Sequence, residues 1–467
     1  MKGRALLPLF LSIGLLGTVR SQVQPSVWWK AATGQVLFNY NPSLQLQPGE
    51  MFVIDSLPAA DDYTLIVVFR NEINAKESFV WKLFFNEMEF NALTTQKIHV
   101  STNVFDYGKD DCPQSMVTTV QQSPSAKDPT AEHFAMVLGD GTNETNMKVA
   151  EVMYFDHRLG IGNLRMVQTY LAIKYGITLG PVNLVNGEGR VVWNYKQDAA
   201  YHHNMIGIAH DEVYGLNQLQ STSQNDGSVL SVALDHFYAD NASHKEFLPD
   251  ETYCVMGDNN KPATFNADNA SGKNLMLREW KVRTSNMGDI ATMLKLAKPG
   301  VENSVLIICR DDSYKSIAEC LANGAAEVYI PQRVDADGTL YFGNIKWDTD
   351  GSGADLFGFG SGEDLLALAL RQQPSQESNG LTNEMGEDGI SRVIIYPNPS
   401  QGEYNIDVEG VSEVQIQIFN TLGVRVALFE GGENQSAHFE GTLPSGNQYF
   451  VVVTTPEGIQ THKLIIK

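Results

Sequence analysis

Between residues 393 and 467 the chain is a succession of short alternating runs broken by turn residues, and that pattern leaves little choice of fold. Val414-Gln415-Ile416-Gln417-Ile418 puts an apolar side chain at every second position. Residues spaced by two share one face of a strand, whereas a helix needs a repeat nearer four. Tyr449-Phe450-Val451-Val452-Val453 and Lys463-Leu464-Ile465-Ile466 are further strand candidates, and Pro397, Pro399, Gly423, Pro444 and Gly446 punctuate the series. Short strands between frequent turns specify a small antiparallel sandwich.

The same grammar governs the N-terminal half. Residues 63–70, 79–85, 97–100, 134–138 and 149–155 are rich in β-branched and aromatic side chains, which suit a pleated, half-buried surface. So many strands in one run suggest a two-sheet sandwich. A single helix is expected over 163–174, where Leu164, Val167, Leu171 and Tyr175 fall near helical spacing and Gly176 follows as a stop.

Lys2 and Arg4 precede an apolar stretch, 5–16, shorter than the roughly 20 residues a spanning helix needs. With Val19 and Ser21 as small residues before a cleavage point, residues 1–21 are expected to be a signal peptide and Gln22 the first mature residue. No later apolar run is long enough to cross a membrane as a helix. The 467 residues leave room for about three domains. A net charge of −22 argues against nucleic acid or anionic lipid as partner, since both demand clustered Lys and Arg. Cys112, Cys254, Cys309 and Cys320 allow three pairings in an exported chain. They are few for this length and lack a Cys-x-x-Cys, so small buried hydrophobes with one bridge at most is the expectation.

Particular motifs go further than the pattern. Tyr396-Pro397-Asn398-Pro399, Ile418-Phe419-Asn420 followed by Gly423, Leu443-Pro444-Ser445-Gly446 leading to Tyr449, and the closing Lys463-Leu464-Ile465-Ile466-Lys467 resemble the type A C-terminal sorting domain of the type IX secretion system of Bacteroidetes. Asn447-Gln448 stand where that family carries one apolar residue. The resemblance implies export to the cell surface or beyond through the type IX machinery, acting on residues 391–467. It also implies removal of that domain within the polar stretch 371–390 and attachment of the remainder to the outer membrane through a lipopolysaccharide-type anchor. Glu151 to Asp156, Arg158-Leu159 and then Tyr170-Leu171-Ala172-Ile173-Lys174-Tyr175-Gly176-Ile177-Thr178-Leu179 are similar to the closing segment of concanavalin A-like (laminin G-type) jelly rolls, as is the opening Val27-Trp28-Trp29. Tyr201 to Asp211, Gly215-Leu216-Asn217-Gln218 with Gln220-Ser221, and Arg278-Glu279-Trp280-Lys281-Val282 resemble an uncharacterised β-rich module that follows such lectin-like domains, with Ala209 and His210 replacing its usual Gly and Arg. The expected architecture is all-β: a jelly-roll sandwich over 22–179, a β-rich module over 180–370, a linker over 371–390 and an Ig-like sandwich over 391–467.

Candidate chemistry is sparse. Jelly-roll glycosidases carry two carboxylates on one strand face. Glu87 and Glu89 could share a face but end an aromatic run, and Glu151 and Asp156 would face opposite sides. No Gly-x-Ser-x-Gly, His-Glu-x-x-His or phosphate-binding glycine loop occurs. His202 and His203 are adjacent and so diverge on a strand, which makes a metal site with His210 and Asp211 the weaker reading. Calcium is more credible. Asp348-Thr349-Asp350-Gly351-Ser352-Gly353-Ala354-Asp355 offers alternating oxygens at Asp348, Asp350, Ser352 and Asp355 around glycines, as a hard cation requires, though without the Glu of an EF-hand. Asp335-Ala336-Asp337-Gly338 is a lesser copy. Asp-Gly is equally a turn signal. The expectation is a non-enzymatic surface protein, a lectin-like adhesin whose ligand is a glycan or another surface protein met through loops and aromatics such as Trp28, Trp29 or Trp81. The alternatives are a polysaccharide hydrolase of the same fold and a structural surface-layer component.

Overall fold

The computed structural model describes residues 23–372 and 392–467, apart from 32–35, 61, 72–76, 86–87, 101–102, 107–115, 123–132, 140, 142–145, 226, 268–273, 302, 336, 410–412, 421–424, 432–435 and 456–457. The expected signal peptide, the body of the linker, Cys112 and Glu87 therefore lie outside the described residues.

The chain is all-β with few helices. Two six-stranded antiparallel sheets form the N-terminal sandwich. One runs in the order Met116–Gln122, Tyr63–Asn71, Met147–Phe155, Asn41–Leu46, Val36–Phe38, with Val27–Lys30 also on Met147–Phe155. The other runs Phe52–Pro58, His133–Leu138, Phe79–Phe85, Met88–Thr94, Lys97–Val100, Asn103–Asp106. Leu65, Val67, Phe69, Val149, Val152 and Tyr154 of the first face Trp81, Leu83, Phe134 and Met136 of the second across a dry core.

The first sheet is buried on its other face too. Ile66, Val68, Met153 and Phe155 project there and meet helix α1, Ile161–Tyr175. A register shift between Val149 and Glu151 re-phases the central strand at that point. The far side of α1 rests on Trp193, Met205, Ala209, Tyr253 and Val255 of the middle module. The predicted helix is thus present, but it is buried almost all round in its second half and serves two units at once. It ends as its sequence demands. Gly176 takes the left-handed conformation, φ 62°, and the N–H groups of Gly176 and Ile177 close on the carbonyls of Ile173 and Ala172. This is a Schellman stop.

The middle module packs a nine-stranded sheet against a five-stranded one. Trp280 stacks on Phe357, and these two lie with Trp347, Phe342, Leu294 and Ile308 between the sheets. Short helices α2 (Tyr195–Asp198) and α3 (Ile317–Ala322) cap the large sheet, and α4 (Glu363–Gln372) runs two residues into the expected linker. Cys309 and Cys320 are joined across the outer side of this sheet and Cys254 is buried and free, which resolves the pairing left open by the sequence for the described cysteines.

The C-terminal sandwich has three strands on one side and four on the other, with Tyr404, Ile406, Ile416, Val451 and Leu464 between them. Its motif residues tie the ends together. Asn398 accepts from the amide of Ile465 and donates to the carbonyl of Lys463, and Ser400 bonds Ile465 and Lys467 through the backbone. The outer face of the four-stranded sheet is partly apolar, and there Phe419, Phe450 and Val452 meet Leu366 and Leu370 of α4 and Ile330 of the module.

Gly176 tests how closely these units fit. A Cβ there would sit 2.3 Å from the carbonyl oxygen of Thr222. Gly176→Ala should lose about 2 kcal/mol or more in chemical unfolding, from the left-handed backbone and the clash together. Gly160→Ala, at the other end of α1 where a Cβ meets nothing, should change stability little.

Candidate functional site

A carboxylate in the middle of an apolar strand cannot remain ionised without partners. Glu151 is such a group, fully buried in Met147–Phe155. It faces α1, and every neighbour is a donor. Tyr170 O–H donates at 3.0 Å, Tyr175 O–H at 2.8 Å and Lys174 Nζ at 2.9 Å. The Trp28 indole N–H closes the set from the first strand. Lys30, over the Trp28 ring, adds a second cation nearby. Burial works to raise the Glu151 carboxyl, but Lys174, Lys30 and the hydrogen bonds hold it below the ordinary glutamate range. The same burial and the Glu151 charge push both tyrosines well up. With its lone pairs taken and no exposed surface of its own, Glu151 is not placed to attack a substrate. It locks α1 onto the sheet. This is the role sequence reasoning missed, and the signal was there: a lone Glu between Val149-Ala150 and Val152-Met153, and Tyr170, Lys174 and Tyr175 on one side of a helix.

The module's recurring residues resolve in the same way. Asp198, at the end of α2, is bidentate with Arg283 at 3.0 and 2.9 Å and lies 3.1 Å from Lys281. Asp258 takes both oxygens' bonds from Asn204, which sits at φ 48°, and pairs with Arg278 at 3.5 Å. Burial raises Asp258, against Asn204 and the amide of Asn260. Arg278 also reaches the carbonyls of Lys261 and Gly227. Trp280 is core, and Glu279 accepts from the first amide of α3. Arg278, Glu279 and Lys281 therefore each fasten a different element.

The four residues expected to ligate calcium are not brought together as a metal centre. Asp355 is fully buried and turned to Arg310, 3.0 Å away, which is shared with Glu327. Its other oxygen, Oδ1, finds no partner, and burial lifts the group to about 6 despite the pull of the Asp348 amide and Arg310. Asp348 accepts from the amide of Gly353 and Asp350 from that of Ser352, while Ser352 Oγ donates to the carbonyl of Ala354. These are turn bonds, the other meaning of Asp-x-Asp-Gly. Among the described residues no three His, Cys, Asp or Glu side chains are grouped to hold a metal ion. His202 Nε2 donates to the carbonyls of Leu179 and Gly180, and Asp211 accepts from Gly187, Val213 and Tyr253. Glu87 lies outside the described residues, and Glu89 is placed only as a member of Met88–Thr94. Trp81 is in the core, Trp28 is committed to Glu151, and Trp29 is half-buried with its ring 5.2 Å from Phe52. The two clearest concavities among the described residues, both beside α1, have room for little more than a water molecule.

Two family models match parts of this chain. Residues 163–349 match a domain of unknown function, DUF8202, and residues 394–467 match the secretion system C-terminal sorting domain. The second match makes this chain a cargo of that secretion machinery, exported to the cell surface or outside the cell. No helix among the described residues is long and apolar enough to cross a membrane. No curated protein matches the chain. Solved structures with some likeness include a family 35 carbohydrate binding module from an environmental isolate, at 12% identity, TM-score 0.18, 30% of this chain and 90% of that one. Dimeric latent PorU from Porphyromonas gingivalis matches at 12% identity and TM-score 0.14, over 95% of this chain and 33% of that one. A biofilm-associated protein BSP domain matches at 9% identity and TM-score 0.15, over 95% and 84%. Scores this low carry no argument about ligand or activity.

Two outcomes follow from the geometry. Glu151→Gln puts an amide N–H₂ among donors and leaves two ammonium groups uncompensated, so unfolding should become easier by about 3 kcal/mol. Because Glu151 is depressed, its contribution is complete above the ordinary glutamate range and fades as pH falls below it. Stability of the parent should therefore drop below about pH 4.5 with a component absent from the variant. For the 348–355 loop, millimolar Ca²⁺ and a chelator should give the same melting temperature. A rise with Ca²⁺ that Asp350→Ala abolishes would show that the loop re-forms around the ion.

Proposed function

We propose that this chain is an exported, surface-displayed binding protein without enzymatic activity, a lectin-like adhesin whose N-terminal sandwich is a jelly roll taking a glycan or a surface-protein ligand. The observation that supports it is the fate of the interior carboxylates: Glu151, Asp198, Asp258 and Asp355 are each spent on fastening elements together. A glycosidase needs a pair held about 5 Å apart for retention, or somewhat further for inversion, open to substrate. A binding face needs only exposed rings and polar rims. The edge of the second sandwich sheet offers exposed apolar side chains beside two half-buried rings. Met51 is 60% and Val53 43% exposed, and between them Phe52 packs on Trp29. The sorting domain delivers the whole to the surface, where a lipopolysaccharide-type anchor replaces it.

A glycan array probed with the intact chain tests the reading. Binding should be seen and should fall at least tenfold in Trp29→Ala or Phe52→Ala, with no reducing sugar released from β-glucans, galactans or host glycans. Release of sugar that Glu87→Gln or Glu89→Gln removes would replace this reading with the hydrolase.

A further inference from the structure

The string Gly215-Leu216-Asn217-Gln218-Leu219-Gln220-Ser221 plays no part in the proposed ligand face, yet Gln218, Gln220 and Ser221 are completely buried. Three fully buried polar side chains in seven residues need a reason, because a buried amide without bonds is costly. The reason is a hairpin from the other end of the chain. Val36–Phe38 and Asn41–Leu46 pair with Phe38 opposite Asn41, leaving Asn39 and Tyr40 as a two-residue turn at φ 47° and 64°. That turn type favours Asn at its first position.

The tip is plugged into the module. Asn39 Nδ2 donates to Ser221 Oγ at 3.1 Å and to the carbonyl of Lys174 at 3.0 Å, and Asn39 Oδ1 accepts from the amide of Thr222 at 2.8 Å. Gln218 Nε2 donates to the carbonyls of Asn39 and Gln220. Its Oε1 is thereby turned to Asn41, whose Nδ2 lies 2.9 Å from it and 2.9 Å from the carbonyls of Lys174 and Asn39. The carbonyl of Tyr40 accepts from the amide of Asn241. Lys174 O belongs to the last turn of α1, where helix carbonyls lack partners of their own. The hairpin amides supply them.

We propose that Leu216–Thr222, with the end of α1, is a receptor for a β-hairpin tip of the form Asn-x-Asn, and that the middle module serves in this chain to hold the N-terminal sandwich by that tip. The socket selects chemistry as well as shape. Asn41 Nδ2 faces three acceptors, so a carboxylate of the same size is repelled. None of its partners is charged: Lys174 presents only its backbone here, its ammonium being on Glu151, and Arg70 nearby bonds Gln224.

The test uses the full chain. The readouts are hydrogen exchange at the Thr222 amide and calorimetric melting of sandwich and module, each compared with the parent at the same pH. Asn39→Gly keeps the left-handed backbone and removes the side chain. It should speed Thr222 exchange at least tenfold and separate one melting transition into two. Asn41→Asp should do the same near neutral pH and recover below about pH 5, where the protonated acid donates again. Unchanged protection and melting in Asn39→Gly would overturn the proposal, leaving the apolar contacts around α1 as the joint. An Asn41→Asp defect equal at both pH values would overturn it as well, since the donor set would then be irrelevant. If Asn41→Asp does not fold near neutral pH, Asn39→Gly decides alone.

Discussion

Helix α1 is the constraint on which the rest of the molecule depends. It packs against the N-terminal sandwich on one side and the module's large sheet on the other, and it is held there by the Glu151 carboxylate. Without α1 the sandwich would present Ile66, Val68, Met153 and Phe155 to water, and the module would present Trp193, Met205 and Val255. Burial of such side chains is worth roughly 1.5–3 kcal/mol each. The apolar gain is non-directional, however. The direction comes from Glu151, whose three donors on α1 fix the helix in rotation and height, and from Gly176, where a Cβ would come within 2.3 Å of the Thr222 carbonyl oxygen.

Local physics was legible in the sequence, and long-range pairing was not. The strand over 414–420 follows from period-two patterning, those over 63–70 and 149–155 from runs of β-branched and aromatic residues, and the stop at Gly176 from the need for a left-handed residue. The two-sided burial of α1 does not follow from its apolar positions, which predict a helix but not its number of partners. Trp28 and Glu151 are 123 residues apart and Asn39 and Gln218 are 179 apart. No spacing rule links such positions. α4 was hidden for a different reason: Leu365-Leu366-Ala367-Leu368-Ala369-Leu370 is a continuous apolar run, equally at home in a buried strand. The Asp348–Asp355 loop carries a pattern that turns and cation sites share, so only the placement of the oxygens separates them.

The module motifs illustrate how a string of unusual residues can be structural throughout. Arg278, Lys281 and Arg283 each find a buried aspartate on another element. Pairs of this kind add little net stability relative to apolar packing, but breaking one leaves an uncompensated charge. They therefore penalise alternative pairings of a nine-stranded sheet more than they strengthen the right one.

The contact between α4 and the C-terminal sandwich changes what a removable tail means. Leu370, Phe419 and Phe450 are buried against one another, so passenger and tail share a small core. If the tail is removed as proposed, a cut between them would leave the two parts still in contact through that seam, so that release would be a second event with its own rate, wetting apolar side chains on the passenger beside its new C-terminus.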